Sequence, residues 1–451
     1  MQRNGTEAAG GHLTRRRLVA LVAPALAAPA MSGALAACTA GRQAQPAGGE
    51  LSQAPATVTF LGRGSAVYQQ TFEELSRAFS ERFPQITVQY THESGNFDQK
   101  YTVLGASDQL PDVGFGTVAF YKGHVARGLA TYLDELVKRD KAFREQDYDP
   151  YWLVALKYKG RLAGLPWDPG MVVLAYNRNL FQKAGVPFPD PKTPMTWEDT
   201  LDVARRLVVD NGSQVDQWGL EVWWARFWWQ IPRQMGLLDV YQGDENVLKL
   251  DDPVALEGLQ WLADLRVKYK VSRPPDYAGP AAAFANGNVG MSADGAWTWG
   301  TNRTKLQDDW DVAPLPQFKG KKRVTMGQAS PFILAGSSKV KDQAWQLMKY
   351  LSGPDGQQLA LERGISQPML KAQFQSPAFT KLTPPHTHEV AVNETQYAVP
   401  PPYGPSYNDV QALIDQVMTP VYKGEQSARQ AIQAAMPQFK QILEETKARY
   451  G

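Results

Sequence analysis

Between Thr57 and Phe115 the apolar residues switch period again and again, and that alternation limits the folds open to the chain. Thr57-Val58-Thr59-Phe60-Leu61 is a β-rich run, and Gly62-Arg63-Gly64-Ser65 breaks it. Tyr68, Phe72, Leu75 and Phe79 then recur at helical spacing up to Arg82, and Pro84 ends the helix. Ile86 to Tyr90 alternates as a second strand. A helical stretch around Tyr101 to Gly105 leads to a third strand at Pro111-Asp112-Val113-Gly114-Phe115. Strand, helix, strand, helix, strand predicts a parallel sheet with right-handed crossovers. Ligands of such sheets sit beyond the C-terminal strand ends, which places Arg63, Ser65, Gly116 and Thr117 at a candidate site. Gly62-x-Gly64 lacks the third glycine of a dinucleotide fingerprint, because position 67 is Val67, so the loop is read as a close backbone approach to a ligand.

The N-terminus sets the compartment. Arg15-Arg16-Arg17 precedes an apolar, alanine-rich run from Leu18 to Ala37, which stops at Leu35-Ala36-Ala37-Cys38. A cationic start, an apolar core and small residues before a cut site describe a secretory signal peptide over residues 1–37. Cys38, the one cysteine of the chain, follows Leu-Ala-Ala as in a bacterial lipoprotein box, which implies lipidation there and anchoring on the outer face of the cytoplasmic membrane. Pro24, Pro29 and Gly33 make a retained membrane helix the weaker reading, and Ala34-x-Ala36 also suits an ordinary signal peptidase. The arginines fit both twin-arginine and general export. Residues 38–56, small and polar with proline and glycine, read as a lipidated cysteine and flexible tether.

Losing residues 1–37 removes Arg3, Arg15, Arg16, Arg17 and Glu7, which takes 47 basic residues to 43 and 45 acidic residues to 44. A net charge near −1 argues against nucleic acid or an anionic membrane surface as partner. With a lone cysteine there is no intramolecular disulfide, so stability has to come from a large core. The 13 tryptophans and 18 tyrosines exceed what a core needs and point to an aromatic-lined site.

Further along, Pro166 to Gly170 breaks the chain before a buried strand to Asn177, and Thr196-Trp197-Glu198-Asp199 opens a helix with a cap and an acidic first turn. Phe284 to Gly287 ends in a glycine cap, Val289 to Met291 is a short strand, and Asp294-Gly295-Ala296-Trp297 starts a further helix.

Taken in order, these segments resemble the solute-binding proteins of bacterial carbohydrate ABC transporters, the maltodextrin-binding type. The carriers are Thr57 to Leu61 with its helix; Leu110-Pro111-Asp112-Val113; and Leu165-Pro166-Trp167 through Tyr176-Asn177-Arg178-Asn179-Leu180-Phe181. They continue through Ala184-Gly185-Val186, Thr196-Trp197-Glu198, Phe284 to Met291 with Asp294-Gly295-x-Trp297, Ala313-Pro314-Leu315-Pro316, and Ala344 to Leu351. The resemblance implies an α/β, two-lobed, type II periplasmic-binding-protein fold, each lobe a mainly parallel sheet flanked by helices. Lobe 1 is expected at 57–171 plus 328–371 and lobe 2 at 172–327 plus 372–451, with crossings near Met171 to Ala175, Thr325 to Gln328 and Met369 to Phe374. It further implies a monomer that takes a carbohydrate in the cleft and delivers it to ABC permease transmembrane subunits, with no cofactor and no metal.

A sugar site needs flat aromatics beside carboxylates, amides or arginine. Trp167-Asp168 supplies both. Trp223, Trp224, Trp228 and Trp229 flank Arg226, and four tryptophans in seven positions exceed what one helical face buries, so Trp224 and Trp228 are candidates with Arg226. The resemblance sets Asp294 and Trp297 at the sugar ring, with Trp299 packing inside. It also puts stacking aromatics at Tyr403 and Tyr407, on a proline-rich loop read as too stiff and exposed for a core. Gln328, Arg63 and Thr117 complete the set. Maltodextrin members carry an acidic residue where this chain has Gly170.

Catalysis finds little support. There is no G-x-S-x-G and no H-E-x-x-H, Cys38 is consumed by lipid, and His386-x-His388 has no further ligand cluster beside it. The chain is therefore expected not to be an enzyme; a cell-surface glycoside-active enzyme or a non-transport sugar sensor is the alternative.

Overall fold

The computed structural model describes residues 50–450 apart from 223 and 279–282, and the side chains of residues 224 and 225 are likewise not described. The signal peptide, Cys38 and residues 39–49 of the tether lie outside the described residues.

The first strand, β1 (Ala56–Arg63), and β2 (Ile86–Glu93) pair in parallel along their full length, joined by the helix Ala66–Arg82. That helix buries Phe72, Leu75 and Phe79, three of the four residues in its apolar stripe, against the sheet. After the helix Phe97–Ala106 comes β3 (Val113–Phe115), parallel to β1 on its other edge. The helices Tyr121–Ala126 and Pro150–Ala155 follow, then a hairpin of β4 (Lys157–Tyr158) and β5 (Arg161–Leu162), and then β6 (Leu165–Pro166).

The chain now enters a second sheet with β7 (Gly170–Asn177), whose eight residues are all buried. The capped helix Trp197–Leu207 precedes β8 (Val209–Asp210) and β9 (Val215–Val222), and the helix Trp224–Met235 precedes a hairpin of β10 (Tyr241–Gln242) and β11 (Val247–Leu248). At the cap, the Thr196 hydroxyl accepts from the Asp199 N–H at 3.0 Å. Past the helix Pro253–Val267 lie β12 (Val289–Gly295), the helix Trp299–Leu306, β13 (Trp310–Ala313) and β14 (Gly327–Gln328). β15 (Pro331–Leu334) returns to the first sheet, followed by the helices Lys341–Ser352 and Pro354–Glu362; the C-terminal helices Tyr407–Tyr422 and Ala428–Tyr450 pack on the second lobe.

The first sheet has the order β2-β1-β3-β15-β6, and the second β13-β7-β12-β9-β8 with β14 on the outer edge of β7. Two sheets, each covered by helices, give the expected two-lobed α/β architecture. Both sheets are nevertheless mixed rather than mainly parallel: β15 runs antiparallel to β3 and β6, and β7 runs antiparallel to β12, β13 and β14. The reversed strands adjoin the passages between lobes, where a returning chain meets the sheet from the opposite end.

Two passages differ from expectation. Met171 to Ala175 lies wholly inside β7, so the first passage falls at 167–169, between β6 and β7. The second runs through Ala329 and Ser330, between β14 and β15. In the third, Leu370 still bridges to Tyr148, and Pro377–Thr380 packs on Pro354–Glu362. Contact with the second sheet is in place at Thr387, whose N–H and hydroxyl reach Asp311 at 3.0 and 2.8 Å, well past Met369 to Phe374. No strand forms there to carry a crossing.

The expected tether also ends sooner. Asp342 accepts from the Ser52 N–H at 2.8 Å, Gln343 donates to the Ala54 carbonyl at 2.9 Å, and Arg139 donates to the Glu50 carbonyl at 3.1 Å, so residues 50–54 are fastened to the first lobe.

Candidate functional site

The passages between lobes place the site. Tyr151, from the first lobe, donates its hydroxyl hydrogen to the Gly327 carbonyl and accepts from the Gly327 N–H, each at 2.8 Å, and also lies 3.4 Å from the Val399 carbonyl. Gln367 accepts from the Met171 N–H at 2.8 Å, while its own N–H donates to the Pro169 carbonyl at 3.3 Å. Two buried side chains thus hold the strand ends from which the site is built.

On the first-lobe side, Asp168 accepts from the Ser330 N–H at 2.6 Å and from the Tyr68 hydroxyl at 3.2 Å. Arg63 donates to the carbonyls of Phe115 and Gly116 at 3.1 and 3.0 Å and to the Ser330 hydroxyl at 2.9 Å. Burial raises the Asp168 carboxyl above the usual range, against the pull of Arg63 and its hydrogen-bond donors. Tyr68 was legible only as part of a helical stripe, and Ser330 carried no sequence signal. The Thr117 hydroxyl donates to Asp98, which lies 3.1 Å from the buried His124 Nε2.

On the second-lobe side, β14 sets Gln328 opposite Gly170 at the start of β7. Trp297 lies over this corner. A Cβ on Gly170 would fall 2.7 Å from its Cε3, and one on Gly295 would fall 2.1 Å from its ring. The acidic side chain of the maltodextrin pattern would occupy that volume, so Gly170 is what lets the indole settle. Trp297 also hydrogen-bonds the Asp294 carboxyl. Burial, with the negative charge of Glu221 nearby, pushes Asp294 up to about 7.

Gln328 accepts from the Tyr403 hydroxyl at 2.8 Å, and the Arg226 guanidinium lies 5.3 and 5.1 Å from the ring centres of Tyr403 and Tyr407. Arg226 also donates to the Tyr407 hydroxyl at 2.5 Å. Gln328 thus links Tyr403 and Arg226 to the start of β7 beneath Trp297, while Arg63 and Asp168 meet at Ser330 on the first-lobe side.

Four expected residues are not open platforms. Trp167 and Trp228 are fully buried, as is Tyr407, and Tyr403 is 2 % exposed. Trp167 turns into the first lobe, where Phe72, Phe115 and Phe332 surround it at 4.6, 5.5 and 6.1 Å between ring centres. Trp228 donates to Gln411 at 2.7 Å inside the second lobe and stacks on Tyr407. Tyr403 and Tyr407 pack edge to face at 4.6 Å, so the proline-rich loop is folded into the core and these rings frame Arg226 rather than stand exposed. Trp299 packs inside on Trp310, as expected. Trp224 opens its helix, but its side chain is not described.

Concavities of about 270, 620 and 920 Å³ lie elsewhere on the surface, and none of the twelve expected residues lines them. His386 faces Asp308 at 2.8 Å, and among the described residues no group of three metal-ligating side chains occurs. No helix among them is long and apolar enough to cross a membrane.

Against known proteins, the family described as bacterial extracellular solute-binding protein matches residues 64–358. A maltotriose-binding protein of Pyrococcus abyssi is 23% identical over 361 residues, covering 77% of this chain and 74% of its own. The sn-glycerol-3-phosphate-binding periplasmic protein UgpB of Escherichia coli O1:K1 is 20% identical over 430 residues, covering 87% and 93%. Among solved structures, the ABC substrate-binding protein Lmo0181 from Listeria monocytogenes, in complex with cycloalternan, shares the fold with a TM-score of 0.71 at 21% identity, covering 87% of this chain and 98% of that one.

Proposed function

The chain belongs to the bacterial extracellular solute-binding proteins, and from that premise we propose that it is the capture component of an ABC importer whose solute is a carbohydrate. The observation that carries the reading is Trp297, seated on Gly170 and Gly295 with its indole hydrogen-bonded to Asp294 at the lobe junction. A flat apolar ring beside a carboxyl matches the two faces of a sugar, its C–H surface and its hydroxyls. Arg226, Gln328, Asp168 and Arg63 supply further polar groups from both lobes, so a bound solute stabilises the closed state by touching each.

In this reading the protein binds and releases without turnover. Cys38, lipidated after removal of residues 1–37, keeps it on the outer face of the cytoplasmic membrane, close to the permease subunits it serves. The leash is residues 39–49, since residues 50–54 are fastened to the first lobe. Eleven residues reach at most about 40 Å, enough to swing over a transporter but not to leave it.

The test is a thermal-shift screen over mono- and oligosaccharides, with sn-glycerol 3-phosphate as a separate arm, since a bound solute raises the melting temperature by mass action. A carbohydrate shift supports the reading. A shift with glycerol phosphate alone, or hydrolysis of an oligosaccharide by the purified protein, overturns it.

A further inference from the structure

The lobes also meet at a place none of the residues above reaches. Lys122, in the helix Tyr121–Ala126 of the first lobe, has a side chain only 8% exposed, and its Nζ lies 2.7 Å from Oδ1 of Asp244. Asp244 sits in the turn of the β10–β11 hairpin of the second lobe, 122 residues along the chain. Its other oxygen, Oδ2, accepts from the backbone N–H of Lys159 at 3.2 Å, in the turn of the β4–β5 hairpin of the first lobe. Two hairpin tips therefore meet across the junction, with one carboxylate between them.

Both tips are held in place. Lys159 and Gly160 have φ of +47° and +77°, a left-handed pair that makes the tight turn and presents the N–H. Gly243, next to Asp244, packs backbone to backbone on Gly404: a Cβ there would fall 2.3 Å from the Pro402 carbonyl, so no other residue fits. The hairpin tip is thereby fixed to the loop that carries Tyr403, the residue bonded to Gln328 in the site. Beside it, Asn408 donates to the Ala119 carbonyl at 3.3 Å, a second bond between lobes. Burial lowers the Lys122 ammonium from its usual range, and Asp244 works against that burial.

We propose that Lys122 and Asp244 form a closure latch, positioning residues that touch no solute and set the fraction of molecules already closed before one arrives. The inference rests on the reading of the chain as a two-lobed solute binder. A bond made only when the lobes are together stabilises that state alone. Apparent affinity scales with the closed fraction, so the latch tightens binding of any solute the cleft takes.

Small-angle X-ray scattering of the purified protein without added solute tests the latch directly. Wild type is expected to give a smaller radius of gyration than a chain without the latch. Asp244→Asn, which is isosteric and still accepts from Lys159, and Lys122→Met are both expected to raise it, while Asp244→Glu keeps the compact profile. Circular dichroism establishes that each variant is folded. With a solute in hand, Asp244→Asn is expected to raise the apparent dissociation constant by about fivefold, in inverse proportion to the remaining closed fraction. Identical scattering from wild type and both charge-removing variants, or a wild type already as open as they are, overturns the latch. The scattering needs no ligand, so a carbohydrate screen that fails while the variants open refutes the solute class and leaves the latch standing.

Discussion

Trp297 rests directly on Gly170, so closely that a Cβ on the glycine would stand 2.7 Å from the indole Cε3. The absent side chain at position 170 and the aromatic ring at 297 are one feature: Gly170 opens β7, and Trp297 sits in the turn just past β12, the strand paired with β7 in the second sheet. Gly170→Ala should therefore push the indole off its seat, at a cost of about 1–3 kcal/mol. Urea unfolding measures the loss, and titration with the best solute should show weaker binding. Unaltered stability and affinity would mean that the ring has other places to rest.

Trp167 should behave in the opposite way. Ringed by Phe72, Phe115 and Phe332, it belongs to the core of the first lobe. Trp167→Ala is expected to cost about 3–5 kcal/mol, yet to leave the dissociation constant of the folded fraction unchanged. A large loss of affinity with little loss of stability would return Trp167 to the site.

Of the two side chains that hold the hinge, Tyr151 acts through its hydroxyl. Tyr151→Phe keeps the ring but removes the group that serves both the N–H and the carbonyl of Gly327. Leaving those backbone groups unpaired should cost about 1–3 kcal/mol, again read by urea unfolding. If Tyr151→Phe is as stable as wild type, the hydroxyl does not hold the passage.

Asp294 gives a pH dependence with a definite sign. Its pKa is about 7 in the folded chain and about 3.9 unfolded. Across that window the folded state holds more protons than the unfolded state, so stability falls as pH rises and levels off above the folded value. Glu394, also pushed up to about 7 by burial, adds to the same slope. Melting temperatures from pH 5 to 8 should decline for wild type and decline less for Asp294→Asn. Parallel curves would place the Asp294 carboxyl in water.

These relationships show what a one-dimensional reading can reach. The first strands and helix were legible because the periods of Val58, Phe60, Phe72 and Phe79 depend only on neighbours along the chain. Asp294 and Trp297 were singled out only through the family resemblance, as contacts to a sugar, and the bond between them came with the fold. Which way an aromatic faces was not legible: Trp167 and Trp228 carry the same composition signal as Trp297, and only the surrounding lobe decides burial. Tyr403 and Tyr407 misled because prolines suggest a stiff exposed loop, whereas here the loop is folded down against Gly243 and the helix of Arg226. Lys122 and Asp244, Tyr151 and Gly327, and Asp168 and Ser330 are joined purely by folding, over separations that no spacing rule spans.

Isothermal titration calorimetry of the best carbohydrate from the screen into wild type and Trp297→Ala measures directly whether the solute is captured against Trp297. Wild type is expected to give a stoichiometric, saturable heat, and the affinity is expected to fall at least tenfold, about 1.4 kcal/mol or more, or to be lost in the variant. Equal binding to both proteins would contradict capture against that ring.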